Sequence, residues 1–258
     1  MLFAIDIGNS NIVLGCMDTT LVFGERLSTN TSKTELGYAI DIKNLFEMYH
    51  IKTIDLTGCI ISSVVPQLTG IIKNAVYKIT GLTPLIIGPG VKTGLDILID
   101  NPAQLGSDIV VDAVAALLEY EPPMIIIDMG TATTISVINN KGQFLGGAIM
   151  PGVKVSLDSL VAKTSQLQNI GFEAPNKVIG RNTIDSMKSG IIFGSAASID
   201  GIIDRIEEEL GQKVIVIATG GLAVKVLRYC RRDIILEKDL LLKGLREIYQ
   251  KNMVRNKK

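Results

Sequence analysis

The chain begins with two apolar segments separated by a polar turn. Residues 2–14 read LFAIDIGNSNIVL, so one run of branched apolar residues leads to Asp6 and Gly8 and a second run follows Asn11. Apolar runs bounded by turn residues predict strands. We therefore predict a β-hairpin whose turn offers backbone N–H groups, amides and a hydroxyl to an anion, beside one carboxylate.

The same pattern occurs again near the middle of the chain, where residues 124–137 read MIIIDMGTATTISV. An alignment of the two segments matches Asp6, Gly8 and Ser10 with Asp128, Gly130 and Ala132. One such segment alone could be an ordinary hairpin with a polar turn. Repetition at matching places in two half-chains instead predicts two similar lobes that present their turns to a shared cleft.

Further strands and helices alternate after each hairpin. In the first half we predict a third strand, a helix, a buried strand, a helix and a short strand at Leu21–Leu27, Thr34–Tyr49, Ile60–Val65, Pro66–Ile79 and Leu85–Ile87. In the second half the corresponding predictions are a strand at Gln143–Ile149, a helix opening at Pro151, a largely helical stretch at Gly180–Leu210, a strand at Val214–Ala218 and a last helix from about Asp239. This order predicts an α/β protein with mixed sheets flanked by helices.

Proline and glycine positions suggest how the chain divides. We predict a helix from about Asp108 to Tyr120, which Glu121-Pro122-Pro123 ends. We therefore predict an N-terminal lobe over 1–121 and a C-terminal lobe over 122–258. The stretch 91–108 is the longest irregular segment of the first half, and loops of that length are usually functional. The basic segment Arg255–Lys258 is expected to fray.

Composition removes several classes of function. The chain has 26 basic and 26 acidic residues among 258, which gives no electrostatic footprint for nucleic acid or an anionic membrane. Its apolar runs are too short to span a membrane, and the N-terminus leads straight into a strand, so we expect a cytoplasmic protein.

Catalytic side chains of the common kinds are scarce. The three cysteines form no C-x-x-C pair, which supports neither a disulfide framework nor a zinc site. His50 is the only histidine and lies at a predicted helix end, where a capping or surface role is expected. No G-x-G-x-x-G follows a strand and there is no P-loop, so a dinucleotide-binding fold is disfavoured.

The remaining residues suit phosphoryl transfer, which needs positioning, charge neutralisation and a proton acceptor. Asp6 is placed to hold Mg²⁺ through water, although a turn-capping aspartate is the alternative. Gly220-Gly221 follows a predicted strand and would let a nucleotide approach the backbone closely, although a plain tight turn is the alternative.

Five motifs occur in order along the chain: DIGNSN, DNPAQLGSD, DMGTATT, GGAIMPG and ATGGLA. In this set the sequence resembles the type III pantothenate kinases, which belong to the acetate kinase, sugar kinase, Hsp70 and actin superfamily. The resemblance implies two duplicated ribonuclease-H-like lobes with the active site in the cleft between them. It also implies transfer of the ATP γ-phosphoryl group to pantothenate, giving 4'-phosphopantothenate in the first step of coenzyme A synthesis. Members are homodimers that need a divalent cation such as Mg²⁺ and a monovalent cation, K⁺ or NH₄⁺.

The resemblance also assigns roles to individual residues. It makes Asp108 the proton acceptor, although a helix cap is the plainer interpretation. It assigns Asp128 to the monovalent cation. It assigns ATP to Asp6, Ile7, Gly8, Asn9, Ser10, Asn11, Ile12, Val13, Thr131, Gly220 and Gly221. It assigns the acceptor substrate to Ile99, Gly106, Ser107, Asp108, Ile109 and Thr183, the last of which could instead be an ordinary N-cap.

Dimer packing in the family involves second-lobe helices. The stretch Gly180–Leu210, with Ile191, Ile192 and Phe193, is therefore a candidate dimer surface. An ordinary core helix is the alternative.

Two positions depart from the family pattern. Family members have Tyr-x-N-P and G-x-D-R where this chain has Ile99 and Ile109, and both lost side chains contact pantothenate. An arginine fork pairs with a carboxylate through two hydrogen bonds, which isoleucine cannot do. Three interpretations stay open: pantothenate phosphorylation with a high KM, phosphorylation of a related alcohol such as pantetheine, or a nucleotide-binding regulatory protein without turnover.

Overall fold

A computed structural model describes residues 1–165 and 167–253, so the predicted fraying of Arg255–Lys258 lies outside the described residues. The strands are β1 (Leu2–Ile7), β2 (Asn11–Met17), β3 (Leu21–Ser28), β4 (Gly58–Ser63), β5 (Leu85–Ile86), β6 (Asp96–Ile97), β7 (Met124–Met129), β8 (Ala132–Ile138), β9 (Gln143–Pro151), β10 (Ile215–Thr219) and β11 (Ile235–Leu236). The helices are α1 (Glu35–Met48), α2 (Pro66–Thr80), α3 (Ser107–Glu119), α4 (Val153–Ala162), α5 (Thr183–Leu210), α6 (Ala223–Leu227) and α7 (Leu240–Met253).

The chain divides into two compact units. The first contains Met1–Leu95, Asp100–Leu118 and the segment from Asp239 onward, and the second contains Asp96–Ile99 and Glu119–Lys238. The predicted division placed residues 1–121 in the first lobe and everything after them in the second, so the structure differs from it at Asp96–Ile99 and in the last segment. An amphipathic helix does not encode which sheet it will cover, and α7 covers the first.

Close packing joins α7 to the sheet of the first unit. An ideal Cβ on Gly15 would lie 2.7 Å from a methyl carbon of Leu242, and one on Gly58 would lie 1.8 Å from the Tyr249 hydroxyl. Both glycines lie on strands, in β2 and β4. Side chains of α7 thus occupy space that only glycine leaves open.

The first sheet has the strand order β3-β2-β1-β4-β5. Strand β1 is antiparallel to β2 and parallel to β4, and all six of its residues are buried. Thr34 caps α1 by accepting a hydrogen bond from the Gly37 N–H, and Pro66 opens α2 as predicted.

The second sheet has the order β11-β10-β7-β8-β9-β6. Strand β7 is antiparallel to β8 and parallel to β10, as β1 is to β2 and β4, so five strands repeat the first sheet. The additional edge strand β6 comes from the stretch predicted to be irregular and runs parallel to β9. The predicted α/β class, with duplicated mixed sheets flanked by helices, is confirmed.

Each unit has its own apolar core. Phe3, Ile5 and Ile61 are fully buried in the first, and Ile125, Ile127 and Ile192 in the second. These residues come from the central strands and from α5, so the cores hold the inner strands firmly. The candidate residues of the first unit lie where β1 and β4 end. Among the described residues, no helix is long and apolar enough to cross a membrane.

Candidate functional site

The first hairpin turn is held by its own backbone and by the end of β3. The Gly8 N–H donates to the Asn11 carbonyl at 3.0 Å, and the Thr29 hydroxyl donates to the Gly8 carbonyl at 2.6 Å. The Thr29 N–H donates to the Ser10 carbonyl at 3.0 Å. With these bonds made, the exposed side chains of Asn9, Ser10 and Asn11 project from a fixed turn. This part of the predicted phosphate cradle has the preorganised polar groups that an anion requires.

The two hairpin turns differ in length. In the first, residues 8–11 lie between the last paired positions, Ile7 and Ile12. In the second, only 130–132 lie between Met129 and Thr133. The match of Ser10 with Ala132 therefore does not hold through the turns, because the second turn is one residue shorter, whereas Asp6 and Asp128 keep the same place before each turn.

Two serines connect the strand beside Asp6 to the start of α3. Asp6 is 6% exposed and pairs in register with Ser62 on the neighbouring strand β4. The Ser62 hydroxyl lies 2.9 Å from the Ser107 hydroxyl. Ser107 also accepts from the Ser63 N–H and donates to the Ser63 carbonyl, both at 3.2 Å. The first turn of α3 is thereby attached to the end of β4.

Asp108 lies in that first turn. The Val110 N–H donates to the Gly106 carbonyl at 3.2 Å, which makes Gly106 rather than Asp108 the residue that precedes the helix. One Asp108 oxygen accepts the Ile109 N–H at 2.9 Å. A half-buried carboxylate with one oxygen anchored this way suits a proton acceptor.

In the second unit, Asp128 precedes the second turn. It pairs with Thr134 on β8 and with Thr219 on β10. Thr219 is 5% exposed and is followed by Gly220, whose φ is +104°. A Cβ on Gly220 would lie 2.5 Å from the Met129 backbone nitrogen, so only glycine fits beside β7.

A second close approach fixes Thr131. The Gly152 N–H donates to the Thr131 carbonyl at 3.1 Å, and a Cβ on Gly152 would lie 2.2 Å from the same oxygen. Thr131 itself is exposed. The turn that carries Thr131 is therefore tied through its backbone to the start of α4.

The two departures from the family pattern fall in different units. Ile99 follows β6, and its side chain lies 3.8 Å from where a Cβ on Gly146 would be. Gly146 has a φ of +134°, which an L-residue rarely adopts. Ile109 is half-buried in the first turn of α3. Both isoleucines place apolar groups where the family pattern has a phenol and a guanidinium.

Thr183 is the first residue of α5 but does not cap it. The cap is Asn182, whose side-chain oxygen accepts the Asp185 N–H at 2.8 Å, so the interpretation of Thr183 as an ordinary N-cap is wrong. Thr183 is exposed and lines a cavity of about 480 Å³ within the second unit. Leu160, Met187 and Ile191 form its apolar part.

No ready-made metal cage occurs in residues 1–165 and 167–253, because no three acidic, histidine or cysteine side chains are grouped to hold an ion. Mg²⁺ in nucleotide sites is usually held by one or two carboxylates together with phosphate oxygens. Asp6 and Asp128 each offer one carboxylate beside a polar turn. The donor set therefore fits a cation held mainly by a nucleotide.

Thiol chemistry does not fit this site. All three cysteines are free. Burial raises the pKa of the Cys16 thiol to about 11 and that of Cys230 to about 12. Burial also raises the pKa of Cys59. Thiols this weakly acidic stay protonated at neutral pH and are poor nucleophiles.

Four residues that shape the site were not predicted from the sequence: Thr29, Ser62, Ser63 and Thr219. A signal was present for two of them, because Ser62 and Thr219 lie at or next to the ends of corresponding buried strands and pair with corresponding aspartates. A serine near a strand end is too common to be recognised as a site residue before the pairing of the strands is known. Thr29 acts through a contact between positions 21 residues apart, which no local pattern reveals.

Comparisons with known proteins identify the family of this chain. A model of the type III pantothenate kinase family matches residues 2–205. A type III pantothenate kinase from Halalkalibacterium halodurans is 43% identical over 254 residues, covering 98% of this chain and 100% of the relative. One from Citrifermentans bemidjiense is 43% identical over 253 residues, with the same coverage.

Solved structures share the fold. A Campylobacter jejuni protein described as a Baf family transcriptional activator superposes with a TM-score of 0.62 at 22% identity, covering 98% of this chain and 99% of the other. The activator of 2-hydroxyisocaproyl-CoA dehydratase from Clostridium difficile, with bound ADPNP, gives 0.57 at 12% identity, covering 98% and 97%. The family match and the full-length relatives decide the assignment: the chain belongs to the type III pantothenate kinase family.

Proposed function

We propose that this protein phosphorylates pantothenate at its primary hydroxyl with ATP, giving 4'-phosphopantothenate for coenzyme A synthesis. Membership of the family and full-length similarity to type III pantothenate kinases support the reaction. The observation that carries the assignment of residues is the attachment of Ser107, the residue before Asp108, to β4 at the point where that strand runs beside Asp6. A buried carboxylate and a proton acceptor are thereby held by the same strand end.

The hairpin turn between β1 and β2 is proposed to hold the nucleotide phosphates. Backbone N–H groups and the side chains of Asn9, Ser10 and Asn11 donate to phosphate oxygens, as in other anion-binding turns. Bound Mg²⁺ would neutralise charge on the β- and γ-phosphates, with Asp6 holding it through water. Thr131 and the backbone at Gly220-Gly221 are assigned to the same nucleotide.

Asp108 is proposed to accept the proton of the acceptor hydroxyl as the phosphoryl group is transferred. Loss of a general base typically costs a factor of about 10²–10⁴ in rate. Asp128 is assigned to a monovalent cation because it matches the aspartate that holds this ion in the family. The position of the whole site between the two lobes stays a prediction.

A homodimer is part of the proposal. Ile191 and Ile192, predicted as part of a dimer surface, are instead buried in the core of the second unit, so that part of the prediction is wrong. The cavity that includes Thr183 and Leu160 lies between α4 and α5 and is the surface that we propose for the partner. Leu160, which lines this cavity, is 38% exposed, and Ile184, next to Thr183 in α5, is 41% exposed. Apolar groups exposed together favour burial against another surface.

Ile99 and Ile109 favour pantetheine as an alternative acceptor substrate to pantothenate. Neither can pair with a carboxylate, and a charge-assisted hydrogen bond is worth about 1.5–3 kcal/mol. Pantetheine has the same primary hydroxyl and no carboxylate, so losing a hydrogen bond to the carboxylate would not weaken pantetheine binding. We rank it second because the remaining motifs are those of pantothenate kinases.

An ADP-release assay with Mg²⁺ and K⁺ separates these functions when it is run with pantothenate, with pantetheine and without an acceptor. We expect turnover with pantothenate, saturating at a high KM, and only background release without acceptor. Turnover with pantetheine but not with pantothenate would select the second acceptor. Tight ATP binding without turnover in any mixture would identify a nucleotide-binding regulatory protein and overturn the proposal.

A further inference from the structure

Ser62 is a polar residue in an otherwise apolar place. It is fully buried near the end of β4, directly after Ile60 and Ile61, which are also fully buried. A buried hydroxyl without a hydrogen bond costs about 1–3 kcal/mol, so its partner matters. That partner is the Ser107 hydroxyl at 2.9 Å, which lies 45 residues away in the sequence.

Ser107 is bound more tightly than an ordinary first-turn serine. Its one hydroxyl meets the Ser62 hydroxyl, the Ser63 N–H and the Ser63 carbonyl. All three partners belong to the last two residues of β4. The first turn of α3 therefore cannot move along or away from the strand without breaking these bonds.

The same strand end also fixes Asp6. Strands β1 and β4 are parallel and in register, with Asp6 opposite Ser62 and Ile7 opposite Ser63. The backbone of Ser62 and Ser63 thus pairs with the strand that carries Asp6, while their hydrogen bonds to Ser107 hold the residue before Asp108. A single two-residue segment sets the distance between the two carboxylates.

We propose that Ser62 is a positioning residue, which acts through Ser107 to hold the Asp108 carboxylate at its working distance from Asp6. The proposal rests on the proposed function for the role of Asp108 as base. Ser62 does not touch the reactants. A base displaced by about 1 Å can cost a factor of about 10² in rate, so loss of this anchor should affect turnover more than binding.

The test compares Ser62→Ala with Ser136→Ala. Ser136 is a matched control because it is also a buried serine on a central strand, β8, but belongs to the other sheet. We expect Ser62→Ala to lower kcat by about 10- to 100-fold while KM for ATP changes less than about twofold. Ser136→Ala should retain kcat, even where both variants lose similar thermal stability.

Ser107 variants separate positioning from general damage. Ser107→Ala should lower kcat at least as much as Ser62→Ala does, because it also removes the two hydrogen bonds to Ser63. The double variant should be no worse than Ser107→Ala alone, because the Ser62–Ser107 bond is lost only once. Ser107→Thr keeps the hydroxyl and should restore most of kcat. Ser107 is half-buried, so its variants remain informative if Ser62→Ala does not fold.

Amide hydrogen exchange gives a readout that does not depend on turnover. In protein without ligand, Ser62→Ala should speed exchange at residues 110 and 111 by about tenfold or more relative to Ser136→Ala, since the first turn of α3 opens locally. Faster exchange in a protein with no kinase activity would refute the proposed function and leave the anchor standing. Normal kcat in Ser62→Ala, or additive losses in the double variant, would overturn the inference.

Discussion

The Asp108 carboxylate occupies the space that a side chain on Gly106 would need. An ideal Cβ on Gly106 lies 2.5 Å from the nearer Asp108 oxygen and 3.8 Å from a methyl carbon of Val64. The glycine immediately before α3 therefore lets the carboxylate fold back over the helix start. That conformation is the one in which the carboxylate accepts the Ile109 N–H.

Gly106→Ala should therefore displace the base without removing it. We expect kcat to fall by about 10- to 100-fold, because the carboxylate must rotate away from the new methyl group. ATP affinity should stay the same, since the hairpin turn between β1 and β2 is untouched. Gly70→Ala is the control, because a Cβ there meets nothing within 4 Å. Equal kcat in the two variants would show that the present carboxylate conformation does not matter.

Gly220→Ala should damage the nucleotide side of the site. Its φ of +104° and the Met129 backbone at 2.5 Å both exclude a Cβ. We expect the free energy of unfolding to fall by about 1–3 kcal/mol and the Kd for ATP to rise, as measured by denaturant titration and calorimetry. An unchanged Kd for ATP in a folded variant would remove Gly220 from the proposed nucleotide contacts.

Ile109→Arg should lower KM for pantothenate by about tenfold or more, because a guanidinium at this position can pair with the carboxylate. KM for pantetheine should not fall, since that molecule has no carboxylate. Ile54→Arg is the control, as Ile54 is 86% exposed on a separate short 3₁₀ helix. If KM for pantothenate is the same before and after the change, the acceptor pocket has a different geometry from that of the family.

A buried ion-pair cluster predicts how stability depends on pH. Glu207 is 5% exposed and contacts Lys213 at 2.6 Å and Arg232 at 2.5 Å. Burial alone would raise the pKa of this carboxyl, but hydrogen bonds from Lys213, Arg232 and the Val214 N–H outweigh it, so the pKa is lowered. A carboxyl with a lowered pKa stabilises the fold above its unfolded pKa, and this contribution is lost as pH falls through the folded value.

Glu207→Gln should therefore lower Tm at pH 7, and the difference from wild type should shrink as the pH falls below about 4. Thermal melts at a series of pH values measure this. Glu208→Gln, on the next residue of α5 and exposed, is the control. A Tm difference that stays constant from pH 7 to pH 3 would contradict the account of the cluster.

Regular elements could be predicted from the sequence because their signals are local. Both hairpins follow from apolar runs broken by a glycine turn, and the start of α2 follows from Pro66. Strands β6 and β11 were missed because two residues carry no period. The equally short β5 was found only because its apolar run ends at the loop signal Gly88-Pro89-Gly90. The cap of α5 was ambiguous because two good capping residues, Asn182 and Thr183, are adjacent.

The candidate site was predictable only in part, for the same reason. Carboxylates before glycine turns identify themselves along the chain, as Asp6 and Asp128 do. The link from Ser62 to Ser107 depends on tertiary packing across 45 residues. Likewise, the contact of Leu242 with Gly15 shows where α7 packs, which its amphipathic pattern could not indicate.

The most direct test of the central claim is turnover in Asp108→Asn, measured as formation of phosphopantothenate from ATP and pantothenate. Asp18→Asn is the matched control, because Asp18 is an exposed aspartate in the turn between β2 and β3. It follows the last residue of β2, at the end of that strand away from the nucleotide-binding turn. We predict that Asp108→Asn loses a factor of about 10²–10⁴ in kcat, keeps its affinity for ATP and leaves Tm within a few degrees of the control. An Asp108→Asn enzyme with the kcat of Asp18→Asn would contradict the account.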